Sequence, residues 1–190
     1  MSEALGFETH PTALPGCVEL RLPRSKDARG GFIKLFHQGA FAELGLETTL
    51  TEAFCTTSRR DVIRGLHFQR PPHAHAKLVV CLDGAVQDVA LDLRRNAPTY
   101  GGHAVVELSA EAGNALYLPA GLAHGFCVRS DAATVLYLTG TVHAPESDAG
   151  IAWDSAGIAW ATEAPILSER DRHHPVLADF DSPFRFPEGT

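Results

Sequence analysis

Short apolar stretches separated by turn residues fill the middle of the chain, from about Leu50 to Val142. Residues 76–82 (AKLVVCL) close on Asp83-Gly84, a dipeptide that favours hairpins. Residues 85–93 (AVQDVALDL) alternate in part and end before an Arg-Arg-Asn-Ala-Pro run. Residues 103–108, 115–118 and 134–138 repeat the theme, each bounded by Gly, Pro or Asn. Strands this short and this regularly spaced predict an all-β sandwich or barrel rather than a parallel α/β sheet. The best helix candidate, 38–46 (QGAFAELGL), is short, and helices are a minor part of the expected fold. The first ~15 and last ~20 residues are richer in Pro, His and charge, and read as arms around one central domain. The expected domain is 1–190, with its core at about 20–183.

Composition narrows the function. A chain of 190 residues can bury one sizeable core. Its formal charge of −7 gives no general attraction for nucleic acid, so an anionic ligand needs a local basic cluster. No run of 18 apolar residues suggests a membrane span. The opening MSEALGFETHPTALPG lacks a basic segment followed by an apolar one, so a cytoplasmic protein without a secretory leader is expected. The four cysteines, Cys17, Cys55, Cys81 and Cys127, lie far apart without a CxxC and read as reduced thiols.

One spacing is more specific. Gly113-x5-Pro119-x-Gly121-x2-His124 has the form of the second conserved motif of cupins, in which a tight turn delivers a histidine to the barrel mouth. His73-Ala-His75 resembles the H-x-H of the first motif, but the following glutamate is missing, since Val79 and Val80 stand there. His73, His75 and His124 could supply three nitrogens to Zn or Fe. Pro71-Pro72-His-Ala-His also reads as an ordinary surface loop, and His124 as a hydrogen-bonded structural histidine.

Five further pieces carry candidate chemistry. In Arg64-Gly65-Leu66-His67-Phe68-Gln69, strand alternation puts Arg64 and Leu66 on one face and His67 and Gln69 on the other. Lys77, one of only three lysines, opens an apolar strand, where it either snorkels from the strand end or enters a polar cavity. Tyr137 lies in an apolar strand, as a core aromatic would. Asp171 ends Ile-Leu-Ser-Glu-Arg-Asp and by itself is an exposed carboxylate. Lys26-Asp-Ala-Arg29-Gly30-Gly31-Phe32 reads as a glycine turn, or as backbone and guanidinium able to approach a phosphate.

Taken in order along the chain, these pieces resemble the dTDP-4-dehydrorhamnose 3,5-epimerase family. The resemblance runs from about Leu20 to Pro183. It includes Asp27-x-Arg29-Gly30, Arg64-Gly-Leu-His67-x-Gln69, Ala76-Lys77-Leu78-Val79, Asp88-Val89-Ala90-x-Asp92, Pro119-x-Gly121-x-Ala123-His124-Gly125-Phe126, Tyr137, Ala144-Pro145-Glu146-Ser147 and Ile166-Leu-Ser-Glu-Arg-Asp171. It implies a cupin-type double-stranded β-helix, a jelly-roll barrel with short flanking helices and terminal arms. It also implies a deoxysugar-pathway isomerase acting on a nucleotide-linked 4-keto-6-deoxy sugar, without cofactor or metal. His67 would be the base, Asp171 would hold its ring, Tyr137 would be the acid on the opposite face, and Lys77 would stabilise the enolate. Arg29 and Arg64 would meet the diphosphate, while Gln69, His124, Glu52, His143 and Phe32 would bind substrate. A homodimer exchanging N-terminal strands is implied too. Two segments, 52–58 and 141–143, differ from the family pattern on the sugar or base side of the pocket. They leave open the nucleotide base (dTDP, CDP or another) and which of C3 and C5 inverts, as well as a single-centre epimerase or 3,4-ketoisomerase.

Overall fold

The computed structural model describes residues 5–187, so the outermost residues of the expected 1–190 domain lie outside it. The elements are β1 (Glu8–Pro11), β2 (Val18–Arg21), β3 (Arg24–Asp27), β4 (Gly30–Ile33), α1 (Gln38–Glu43), β5 (Glu52–Arg59), β6 (Ile63–Gln69), β7 (Lys77–Asp83), β8 (Ala85–Asp92), β9 (His103–Ser109), β10 (Asn114–Leu118), β11 (Leu122–Val128), β12 (Ala132–Thr139) and β13 (Asp148–Gly150). One sheet runs β1-β2-β10-β7-β12-β5 and the other β13-β6-β11-β8-β9, with every pairing antiparallel. The fold is an all-β jelly roll of the cupin type.

Three apolar layers hold it together. Between the sheets, Val79, Cys81 and Val135 from one face Val86, Leu108 and Phe126 from the other. Outside the first sheet, Leu78 and Val80 pack against Phe41 of α1 and Phe7. Outside the second, Leu66, Val89 and Leu91 are covered by the C-terminal arm through Ile158 and Phe184. Central strands are therefore buried on both faces, which is why β7 and β11 read as apolar runs with little alternation.

Two local expectations are corrected. Asp83-Gly84 is not the turn of a hairpin: β7 pairs with β10 and β12, whereas β8 pairs with β9 and β11. Gly84, at φ +76°, turns the chain across the edge of the sandwich instead; a Cβ there would meet the Ala132 carbonyl oxygen at 2.2 Å. The same residue types serve both kinds of turn, and burial of both faces decides which strands pair. The helix expected over 38–46 stops at Glu43, because Leu44 caps it and Gly45 takes φ +71°.

Candidate active site

Inward-facing rows turn from apolar to polar towards one end of the barrel. On β12 the row reads Ala133, Val135, Tyr137, Thr139, and on β7 it reads Cys81, Val79, Lys77. The polar ends line a cavity of about 580 Å³ together with Glu52, Phe54, Thr56, Arg64, His67, Gln69, His75, His124, His143, Asp148, Ser168, Arg170 and Asp171. That volume suits a sizeable organic ligand. Lys77 thus enters the cavity rather than snorkelling to the surface.

Arg64 and His67 share this cavity, against the simple alternation expected of β6. Opposite β11, His124 pairs with His67 but Phe126 pairs with Arg64, so β6 carries one extra residue there. Such a bulge returns Arg64 to the face of His67. Gly65 makes it possible at φ +142°, since a Cβ would lie 2.5 Å from Gly125 Cα.

His67 Nε2 lies 2.6 Å from Asp171 Oδ1. The carboxylate is acceptor-only, so Nε2 carries the proton and Nδ1 is left with its lone pair. Asp171 is buried and also accepts from the Gly65 N–H at 3.4 Å. Burial pushes its carboxyl up, but the facing His174 and His67 rings and the Gly65 amide outweigh this and hold it far below the usual carboxylate range. Burial lowers His67 below the ordinary histidine value, with Asp171 pulling it partly back. The imidazole is therefore neutral, and able to accept a proton, at pH 7.

Lys77 Nζ donates to the His67 carbonyl oxygen at 3.0 Å, crossing from one sheet to the other. Burial lowers its ammonium to about 8, opposed by the charge of Asp148. Tyr137 stands on the wall opposite His67, stacked on Phe54 with centroids 4.8 Å apart. Burial first, and then the charge of Asp88, push its phenol well above the ordinary value. The phenol is thus a protonated donor throughout the neutral range. His124 meets the Tyr137 ring edge-on at 5.7 Å and binds both oxygens of buried Asp88, at 3.0 and 2.9 Å.

The remaining expected residues fall into groups. Arg64 Nε donates to Ser58 Oγ at 2.9 Å and keeps the rest of its guanidinium for the cavity. Buried Gln69 ties two loops together, donating to the His73 carbonyl and accepting from the Ala144 N–H at 2.6 Å. Glu52 accepts from the His143 N–H at the cavity mouth. Arg29 and Phe32 do not line the cavity of their own chain. They belong to the exposed β3–β4 hairpin, where Arg29 pairs with Asp27. His73, His75 and His124 turn to separate partners, Ser147, Thr141 and Asp88, rather than converging as a three-nitrogen set.

Asp88, Asp148, Arg170 and His174 join the site without being among the residues expected from the sequence. Asp88 had a signal: it shares a strand face with Val86 and Ala90, and a buried charge requires a partner. Arg170, ion-paired with Asp148, supplies the cavity with a further cation beside Arg64 and Lys77. His174 lies only three residues after Asp171, but nothing in its residue type marked it for the cavity.

A neutral imidazole on one wall and a protonated phenol on the other are the groups that an isomerase acting by proton transfer needs. Comparison with known proteins gives the family. The model of the dTDP-4-dehydrorhamnose 3,5-epimerase family matches residues 11–179. A dTDP-4-dehydrorhamnose 3,5-epimerase of Shigella flexneri is 40% identical over 158 residues, covering 82% of this chain and 87% of that protein. A dTDP-4-dehydrorhamnose 3-epimerase of Streptomyces niveus is 38% identical over 172 residues, covering 89% and 83%. The crystal structure of a dTDP-6-deoxy-D-glucose-3,5-epimerase from Legionella pneumophila, in complex with dTDP-4-keto-L-rhamnose, superposes with a TM-score of 0.91 at 30% identity, over 95% of this chain and 99% of that one. The chain belongs to the dTDP-4-dehydrorhamnose 3,5-epimerase family, and it is an isomerase of the sugar-epimerase class.

Proposed function

We propose that the chain, acting as one cupin-like domain, epimerises a 4-keto-6-deoxyhexose linked to a nucleoside diphosphate, of the dTDP-4-dehydro-6-deoxyglucose type, at C3, C5 or both. The observation that carries this reading is the placement of His67 and Tyr137 on facing sheets, with Lys77 bridging them.

The 4-keto group acidifies the neighbouring C–H bonds. His67 Nδ1 takes the proton, and the bonding electrons move through the carbon–carbon bond onto the C4 oxygen as an enolate. Asp171 stabilises the imidazolium that forms. The Lys77 ammonium meets the enolate charge where water is largely excluded, so it acts more strongly than it would in solvent. The Tyr137 phenol returns a proton to the carbon from the other face, and the configuration inverts. These steps require no cofactor. Arg64 and Arg170, which line the same cavity, meet the diphosphate, while His124 and Asp88 back the Tyr137 side. Gln69, Glu52 and His143 shape the mouth.

The working form we propose is a cytoplasmic homodimer with exchanged N-terminal strands. Every residue of β3 and β4 is exposed, Phe32 by 59%, so the hairpin leaves Arg29 and Phe32 free to reach the cavity of a second copy. The test of the reaction is incubation with dTDP- and CDP-linked 4-keto-6-deoxyglucose, with product configuration read from proton couplings by NMR. Inversion at C3 or C5 is expected. An unchanged sugar with both nucleotides would contradict the reading.

A further inference from the structure

The Asp171 carboxylate has a second imidazole beside it. His174 Nε2 stands 3.6 Å from Asp171 Oδ1, too far for a formed hydrogen bond, and among the described residues this buried nitrogen has no hydrogen-bond partner. A buried donor or acceptor left unpaired is costly, so its position calls for an explanation. His67 Nε2, Asp171 Oδ1 and His174 Nε2 all lie within 4.8 Å of one another. The two rings stand nearly perpendicular, at 74°, with centroids 5.5 Å apart. Gly150 leaves the space that His174 occupies, since a Cβ there would come within 2.5 Å of its Nε2. The Ala152 N–H, bonded to the Pro175 carbonyl at 2.8 Å, pins the loop that carries the ring.

Two imidazoles and a carboxylate form a donor set suited to zinc and neighbouring divalent transition metals. Bonds of about 2.0–2.2 Å in tetrahedral geometry set donor atoms about 3.4 Å apart. Asp171 and His174 already stand near that separation. His67 Nε2 must give up its proton and move outward from 2.6 Å. Arg170 also faces Asp171, its Nε 3.6 Å from Oδ1, but its ion pair with Asp148 is the closer one. Because His67 and Asp171 line the cavity, an ion can arrive from solvent.

We propose that His67, Asp171 and His174 form a binding site for a divalent transition-metal ion of the Zn²⁺ type, and that its occupation inhibits the enzyme. Binding places the metal on His67 Nε2, and the ring proton moves from Nε2 to Nδ1, so the imidazole stays neutral. The metal also takes the carboxylate away from the imidazole and fixes the tautomer with Nδ1 protonated, so Nδ1 has no lone pair with which to take a proton from the sugar. The inhibitory effect rests on the reading of His67 as the base, but the binding does not.

Calorimetric titration of the full chain with Zn²⁺, without substrate and in a non-coordinating buffer, tests the site directly. One equivalent with micromolar affinity is expected, weakened at least about tenfold in both His174→Ala and His174→Gln. The glutamine variant keeps the volume of the side chain if alanine unsettles the loop. The His67 ring resonances of the wild type should shift on saturation. Equal affinity in the wild type and both variants, or unmoved His67 resonances, would overturn the site. In the second arm, epimerisation should fall in step with occupancy and recover with EDTA. A saturated site with undiminished turnover would overturn the inhibitory role, and with it His67 as base.

Discussion

At the scale of residues, chemistry follows from which groups are buried and which are paired. His67 is kept neutral by burial and oriented by Asp171, so it presents Nδ1 to the cavity. Lys77, lowered to about 8, is charged at neutral pH and loses that charge above it. The signs give a bell-shaped profile of kcat/KM. The acid limb is the protonation of His67, displaced below the ordinary histidine value, and the alkaline limb falls near pH 8 as Lys77 becomes neutral. In Lys77→Arg the alkaline limb should disappear; its persistence at the same pH would assign that limb to another group. Tyr137→Phe separates the two half-reactions. Inversion should fall by about 10²-fold or more, while solvent exchange at the abstracted position falls much less. Equal losses would remove Tyr137 from the acid role. Singly, His67, Lys77, Tyr137 and Asp171 read as ordinary structural or surface residues, and only the ordered set of motifs, through the family resemblance, pointed to them as the site. Residue types could not supply Arg170 or His174, whose relation to the cavity exists only once the C-terminal arm folds back onto the second sheet.

At the scale of elements, β6 matters most. A regular strand, which is what alternation alone predicts, would have put Arg64 and His67 on opposite faces. The extra residue at Gly65 brings both to the cavity, and the contact of Gly65 with Gly125 is too close for any side chain. Gly65→Ala should therefore cost more than about 2 kcal/mol of stability, through both the positive φ and the clash. Thermal unfolding would show it, and activity should drop further than stability accounts for, because His67 shifts with the strand. An unchanged Tm would show that the bulge tolerates a Cβ. The strands themselves were largely legible, because each apolar run is bounded by Gly, Pro or Asn. Their pairing was not: Asp83-Gly84 has the residues of a hairpin turn but joins strands of two different sheets. Periodicity reports which face is buried, not which neighbour shares the hydrogen bonds.

At the scale of the whole molecule, a chain of net charge −7 concentrates Arg64, Lys77 and Arg170 in one cavity, where an anionic nucleotide can be held. The exposed β3–β4 hairpin carries the two expected substrate contacts that its own cavity lacks. If copies exchange this hairpin, each site is built from two chains, and mixing becomes informative. On the proposed reading His67→Ala lacks the base, and a chain with Arg29→Ala and Phe32→Ala would grip substrate less well. Co-refolding the two should give mixed dimers with one site free of both lesions, and activity above that of the Arg29/Phe32 variant alone. No gain on mixing would place the hairpin's work, if any, within its own chain.

Proton abstraction by His67 is tested most directly by incubating wild type and His67→Ala with the dTDP-linked 4-keto-6-deoxy sugar in heavy water. Deuterium entering C3 or C5 is followed by NMR. The wild type should label at least one of these carbons during turnover, and His67→Ala should label neither above the rate without enzyme. Labelling by His67→Ala at the wild-type rate would mean that another group removes the proton.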